Sequence, residues 1–237
     1  MRFDRYDRIV SYYPAMWPLL VPGYLPILNA MLEVAHALPR RPQRILDLGC
    51  GPGAATVAVA AACDPQGQVT LADGSARMLD QARTILARQV DEAVLGDYST
   101  APILHEAVRH GPYDLILASF ALHHLDDVAK RQVLDRLAAS LVPGGLLLLG
   151  DEVVSDRPAG WDVVERVRAR TIHENLRTGR ISRAFWEIES SLPPELHLPF
   201  VPSRIDDLQS WMARAGLAVS CPVNVFGSAL LVGVRPA

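Results

Sequence analysis

Lysine is almost missing from this chain. Of 23 basic residues in 237, only Lys130 is a lysine and the other 22 are arginine. Cysteine is sparse too: Cys50, Cys63 and Cys221 are odd in number, far apart and free of CxxC spacing. That pattern excludes a disulfide framework and a structural zinc site, and makes a reducing compartment the default. No long apolar run exists. The longest stretch, 141–149, is interrupted by Pro143, Gly144 and Gly145 and is too short to span a bilayer. The start, MRFDRYDRIV, is charged and lacks an apolar signal core. These absences predict a soluble, cytoplasmic protein with no membrane role. Positive charge is not in excess either: 26 acidic residues stand against 23 basic ones, a net charge of −3. Binding nucleic acid through phosphate contacts needs a clustered positive surface, so that partner class is disfavoured.

What is present is an ordinary globular balance: half the residues are hydrophobic, with 16 Gly and 18 Pro. Residues 1–40 read as an amphipathic helical cap broken at Pro14, Pro18, Pro22 and Pro26, and crowded with Phe3, Tyr6, Tyr12, Tyr13, Trp17 and Tyr24. From Arg44 the rhythm becomes strand, turn, helix, repeated. Strands are expected at 44–48, 68–72, 92–95, 113–118 and 146–149, with helices at 54–62, 75–87, 102–109 and 128–141 between them. Such alternation implies βαβ units and a parallel sheet covered on both faces. After Glu152 the alternation stops. Residues 153–203 read as a helical, Arg-rich insertion ending in a Pro-rich loop, and 204–237 as a helix followed by two β segments. The expected organisation is a cap (1–40), a core (41–152), an insertion (153–203) and a C-terminal return to the core (204–237).

The chemistry concentrates at strand ends. Asp47-Leu-Gly-Cys-Gly-Pro-Gly53 closes the first strand just before a helix, where bare backbone and free N–H groups can receive a ligand. The glycines at 49, 51 and 53 fit neither the dinucleotide fingerprint nor a P-loop. Asp73, followed by Gly74, ends the second strand, across the crevice from the Gly loop, where its carboxylate can accept from both hydroxyls of a ribose. The competing reading is a helix cap at Asp73 or Ser75. Asp97 follows the third strand and can accept from an adenine amino group, with Met78 and Tyr98 as apolar faces for the ring. Asp97 reads equally well as a turn residue.

In this order, D-L-G-C-G-P-G, D-G-S-A-R-M-L, G-D-Y, Y-D-L-I-L-A-S-F-A-L-H-H-L and L-V-P-G-G resemble the class I S-adenosylmethionine-dependent methyltransferases. The resemblance covers residues 1–152 and 204–235. It implies an α/β, Rossmann-like fold with a seven-stranded, mostly parallel sheet, the last strand antiparallel, and helices on both faces. It also implies S-adenosylmethionine as cofactor, S-adenosylhomocysteine as product, and a cofactor site at Gly49, Gly51, Gly53, Asp73, Asp97, Ser119 and Phe120. Val21-Pro-Gly-Tyr24 and Asn224-Val-Phe-Gly-Ser228 are similar to the carboxy-S-adenosylmethionine synthase branch, which makes a carboxylated cofactor from prephenate. That likeness implies that Tyr24 reaches the cofactor's methionine carboxylate. The branch holds the added carboxylate with an arginine; here the matching position is Trp211, with Arg204 and Arg214 off register.

Methyl transfer from a sulfonium needs an aligned acceptor, exclusion of water and, for a hydroxyl or protonated amine, a base. The base candidates are His124, then His123, and in the insertion His173 and Glu174. A metal built from His123, His124, Asp126 and Asp127 is not expected, because Asp126 and Asp127 read as the cap of the next helix. Seven arginines, at 157, 166, 168, 170, 177, 180 and 183, crowd the insertion. They are either a solvated face or a grip on a carboxylate-bearing acceptor. The expected function is methyl transfer to a small-molecule substrate. Carboxy-S-adenosylmethionine synthesis and a non-catalytic cofactor-binding subunit are the alternatives. The sequence leaves the acceptor atom and the oligomeric state, homodimer included, open.

Overall fold

A computed structural model describes residues 3–87, 90–154 and 158–237, with the side chains of 158–160 set aside. Its centre is a sheet in the order β3-β2-β1-β4-β5-β8-β7. The strands are β1 (Arg44–Leu48), β2 (Gln68–Asp73), β3 (Val90–Leu95), β4 (Tyr113–Ser119), β5 (Leu141–Val154), β7 (Ala218–Val225) and β8 (Ser228–Val234). The first five pair in parallel, and β8 runs antiparallel to both β5 and β7. An eighth strand, β6 (Ser203–Arg204), pairs with the end of β5. The sequence reading of seven strands misses it because two residues carry no periodicity. β5 is also much longer than the apolar run 146–149. Its partner on β4 jumps from Tyr113↔Leu141 to Leu115↔Leu146, so Val142-Pro-Gly-Gly145 forms a bulge inside the strand instead of a turn before it.

Side chains alternate across β1, and the two faces bury different helices. Leu46 and Leu48 join Ile116, Leu147 and Leu149 under α6 (Ala101–Val108), α7 (Asp127–Ala139) and α10 (Ile205–Arg214). Ile45, Leu115, Leu117, Leu146 and Leu148 form the opposite layer with α3 (Tyr24–His36), α4 (Ala54–Val59) and α5 (Ala76–Leu86). So α3, at the end of the N-terminal segment, is part of the sheet's cover. It sits so close to β5 that a Cβ on Gly150 would lie 2.4 Å from Ile27. Pro14 and Pro26 lie in the first turns of α2 (Tyr13–Leu20) and α3, where a missing N–H costs nothing.

A third, smaller apolar cluster joins the N-terminal helices to the insertion. Ile9 at the end of α1 (Asp4–Ile9) and Met16 on α2 pack with Ile181 and with Phe185 of α9 (Arg183–Ser191). The insertion's long helix, α8 (Pro158–Arg177), precedes α9. The cap and the insertion thus form one roof over the C-terminal ends of β1, β2 and β4. No single described helix is long and apolar enough to cross a membrane.

Candidate active site

β1 ends in a loop whose three glycines all have positive φ: Gly49 at +69°, Gly51 at +51° and Gly53 at +87°. The reasons differ. A Cβ on Gly49 would collide with Ala121 at 2.4 Å, whereas one on Gly51 would meet nothing within 4 Å. Gly51 therefore presents bare backbone to open space, the cradle a close-approaching ligand needs. Asp73 closes the other side. Its Oδ2 accepts from Gly51 N at 2.8 Å and its Oδ1 from Ser75 N at 2.8 Å, so one carboxylate ties the Gly loop to the start of α5. Ser75 caps that helix by accepting from Met78 N at 3.1 Å. Asp73 and the helix cap are therefore both present, on neighbouring residues.

These groups line a cleft of about 600 Å³. Of the expected cofactor residues, Tyr24, Gly49, Gly51, Asp73, Gly74, Met78, Tyr98, Ser119 and Phe120 line it. Asp47, Gly53 and Asp97 do not. Asp47 is fully buried behind the loop, accepts from Thr56 Oγ1 at 2.7 Å, and burial pushes its carboxyl up to about 7. Gly53, the residue that opens α4, packs toward Ala82 and Leu86 of α5. Asp97 accepts from Ser99 N at 3.0 Å and Ser99 Oγ at 2.5 Å, closing the turn before α6. Phe120 sits at φ +51°, a conformation uncommon outside glycine, and its ring centroid lies 5.1 Å from that of Tyr24.

A second cavity of about 890 Å³ adjoins the cleft and shares with it Tyr6, Tyr13, Phe120, His124 and Leu198. It is floored by the polar end of β5. Beyond Ser119↔Gly150 the sheet pairing of β4 stops, but β5 continues, so Asp151 and Glu152 meet the loop that follows β4. Asp151 accepts from His123 Nδ1 at 2.5 Å, His123 N at 3.0 Å and Glu152 N at 2.8 Å. Burial pulls the His123 imidazole down, but the Asp151 charge and hydrogen bond together with the Glu152 charge more than offset it and hold the ring above the usual histidine range. A neutral His123 must keep its proton on Nδ1 for Asp151, which leaves the Nε2 lone pair free, 3.8 Å from Glu152 Oε2. Glu152 is in turn paired with Arg168 of α8.

His124 lives in the opposite environment. Its Nδ1 faces the Pro199 carbonyl at 2.8 Å and can only donate there, so Nε2 accepts from the Tyr6 hydroxyl at 2.8 Å. Burial, reinforced by the charge of His123, lowers it to about 3. With both nitrogens engaged and the ring held neutral, His124 orients Tyr6 and is poorly suited to the base role expected of it. His173 and Glu174 are exposed on the outer side of α8 and reach neither cavity, and Glu174 is occupied by Arg177 at 2.6 and 2.9 Å. Arg168 enters the chamber; Arg166, Arg170, Arg177, Arg180 and Arg183 face solvent, and Arg157 lies outside the described residues.

Sequence reasoning missed Arg5, Asp151 and Glu152, and gave Arg168 only as one of seven insertion arginines. Asp151-Glu152 at the end of a strand was the one available signal, of the same kind as Asp73. Consecutive residues of α1 fasten the roof: Arg5 to Glu189 of α9, Tyr6 to His124, and Asp7 to Ser75 Oγ at 2.5 Å. Among the described residues no group of three or more His, Cys, Asp or Glu is placed to hold a metal. Asp126 caps α7 by accepting from Ala129 N at 2.8 Å.

A methyltransferase domain model matches residues 46–147. Carboxy-S-adenosyl-L-methionine synthase of Chromohalobacter salexigens is 30% identical over 192 residues, 80% of this chain and 70% of that one. The same enzyme of Hydrogenovibrio crunogenus is 27% identical over 172 residues, covering 70% of this chain and 64% of that one. An O-methyltransferase family protein from Burkholderia thailandensis superposes with a TM-score of 0.60 at 20% identity, over 98% of this chain and 58% of its own. A putative methyltransferase crystallised with the Haloferax volcanii Trm112 activator superposes with a TM-score of 0.63 at 18% identity, over 100% and 98%. Together with the bare Gly51 backbone and the Asp73 carboxylate facing it, these matches place the chain: it belongs to the class I S-adenosylmethionine-dependent methyltransferase family and is similar to its carboxy-S-adenosylmethionine synthase branch.

Proposed function

We propose that the protein transfers the methyl group of S-adenosylmethionine to a small molecule bound in the chamber beside the cofactor cleft. The observation that carries this reading is the wall shared by the two cavities, Tyr6, Tyr13, Phe120, His124 and Leu198. The cofactor supplies an activated methyl group on a sulfonium. The chain's own residues bind and orient it: Asp73 accepts from ribose hydroxyls, Gly49 and Gly51 offer backbone, and Met78 and Tyr98 flank the adenine. Tyr24 receives the methionine end. The roof of α1, α2, α8 and α9 excludes water, which strengthens polar interactions inside. His123, held by Asp151, is the base in its neutral form, which grows in as pH rises through its raised pKa: its Nε2 lone pair then takes the acceptor's proton. Tyr6, fixed by His124, positions the acceptor at the shared wall.

A screen of small-molecule acceptors with purified protein, followed by release of S-adenosylhomocysteine, tests this. Turnover that falls in His123→Ala while cofactor binding persists supports the reading. Cofactor binding without turnover of any acceptor would favour the non-catalytic subunit instead.

A second reading, carboxy-S-adenosylmethionine synthesis, is favoured by the 30% identity to the Chromohalobacter enzyme. Against it, Trp211 stands where that branch has its arginine, and Trp211 packs on the core under α10 with the Arg131 guanidinium 5.6 Å above its ring. Incubation with S-adenosylmethionine and prephenate, read by mass spectrometry, decides: absence of the carboxylated product removes this reading.

A further inference from the structure

The acceptor chamber carries its own neutralisation. Arg5 is bonded to Glu189, with Nε at 3.4 Å and Nη2 closer. Arg168 is bonded to Glu152 and lies 3.7 Å from Glu165. His123 is held by Asp151. The side chains of Arg5, Glu189 and Arg168 are each 15% exposed and that of Glu152 is 8% exposed, so water does little to screen these pairs. An incoming carboxylate or phosphate would have to separate one of them or share a guanidinium that a carboxylate already holds. Separation strands a shielded glutamate without its cation, which is strongly unfavourable, and sharing brings two anions onto one cation. The anion would also face Glu152 itself, which lines the chamber.

A cationic ligand meets the opposite obstacle. The ring faces of Tyr6 and Trp17 that could receive it already have the Arg5 guanidinium at 5.6 and 5.9 Å. What the chamber offers without disruption is flat apolar surface. Tyr13 stacks on Trp17 with centroids 4.0 Å apart and planes 17° off parallel. Phe200 presents its ring to His123, the two centroids 5.6 Å apart. One polar edge interrupts this surface, where His123 Nε2 and Glu152 Oε2 stand 3.8 Å apart, a gap that one hydroxyl can bridge.

Resting on the methyl-transfer reading above, we propose that the acceptor is an uncharged aromatic alcohol of the phenol type, its ring against the aromatic wall and its hydroxyl at the His123–Glu152 edge. The hydroxyl oxygen forms a bond to the methyl carbon as the carbon–sulfur bond of the sulfonium breaks. The hydroxyl proton passes to Nε2 of the neutral His123 ring, whose Nδ1 proton stays on the Asp151 hydrogen bond, and the sulfur leaves as the neutral thioether of S-adenosylhomocysteine. The arginine-rich insertion thus selects against anions, because the arginine it turns inward is already held by Glu152 of β5.

The test is calorimetry on the full chain saturated with S-adenosylhomocysteine, using three probes on one ring system: naphthol, naphthoate and naphthylmethylammonium. Naphthol is expected to bind about tenfold or more tighter than either charged probe. In Glu152→Gln, which leaves Arg168 without its carboxylate, naphthoate is expected to gain about tenfold over its affinity for the wild type. Naphthoate or the ammonium binding the wild type as tightly as naphthol overturns the proposal. So does binding of none of the three while S-adenosylhomocysteine binds. Failure of S-adenosylhomocysteine itself to bind removes the methyl-transfer reading and this one with it.

Discussion

Replacing Asp151 by Asn tests the polar floor of the chamber without any knowledge of the acceptor. The carboxylate is 3% exposed and accepts three hydrogen bonds, one from the His123 ring and two from backbone N–H groups. Asparagine keeps the shape but has one acceptor oxygen, and its amide N–H₂ must face a donor. The loss of one charge-assisted hydrogen bond, about 1.5–3 kcal/mol, plus a poorly matched backbone N–H gives an expected destabilisation of about 2–4 kcal/mol near pH 6. The pH dependence has a definite sign. The His123 pKa is raised in the folded protein above its ordinary value of 6.5. Its contribution is therefore complete below about pH 6.5 and is lost as pH rises through the folded-state value. The difference between wild type and Asp151→Asn should therefore be smaller at pH 9 than at pH 6, falling toward that of a neutral hydrogen bond, about 1 kcal/mol, as pH passes the folded-state value. Urea unfolding of both proteins at pH 6 and pH 9, with unchanged m-values, measures it. A difference equal or larger at pH 9, or a His123 that titrates below 6.5 by NMR, refutes the assignment.

Three other substitutions probe separate parts of the account. Asp7→Ala removes the bonds from α1 to Ser75 Oγ and Arg77 N and should speed S-adenosylhomocysteine release about tenfold in stopped-flow fluorescence, with little change in stability; an unchanged rate means that α1 does not gate the cleft. Lys130, buried at 1% exposure, ties α7 to the chamber wall through the Val201 carbonyl and Ser203 Oγ, so Lys130→Met should cost about 1–3 kcal/mol in urea unfolding. His173→Ala and Glu174→Ala, both on the solvent side of α8, should each leave stability within about 0.5 kcal/mol and cofactor affinity unchanged by calorimetry.

Much of the core was legible because it is written locally. β1 occupies 44–48 as its apolar run predicts, and α5, α6 and α7 fall within two residues of their expected bounds. Gly49, Gly51 and Asp73 announced themselves through residue type at a strand end, a signal that needs no partner. The acceptor chamber was not legible in the same way. His123 and Asp151 are 28 residues apart and meet because β5 outruns β4, an offset in strand length that neither strand's own pattern encodes. Arg168 was one of seven arginines in the insertion, and only the rotation of α8 about its axis singles it out. The two adjacent histidines show the same limit. Identical side chains acquire opposite protonation preferences because Asp151 supports one and the Pro199 carbonyl and Tyr6 enclose the other. The sole lysine, first an oddity of composition, proves to be a buried clasp holding the segment that supplies Pro199 and Phe200.

The central claim is that the cleft bounded by Gly51 and Asp73 holds S-adenosylmethionine. Isothermal titration of purified wild type and Asp73→Ala with S-adenosylhomocysteine tests it most directly, with circular dichroism confirming that both are folded. The account predicts saturable one-to-one binding to the wild type, weakened by about 10–100-fold in Asp73→Ala through loss of charge-assisted hydrogen bonds. No binding by the wild type, or equal affinity in the two proteins, would contradict it.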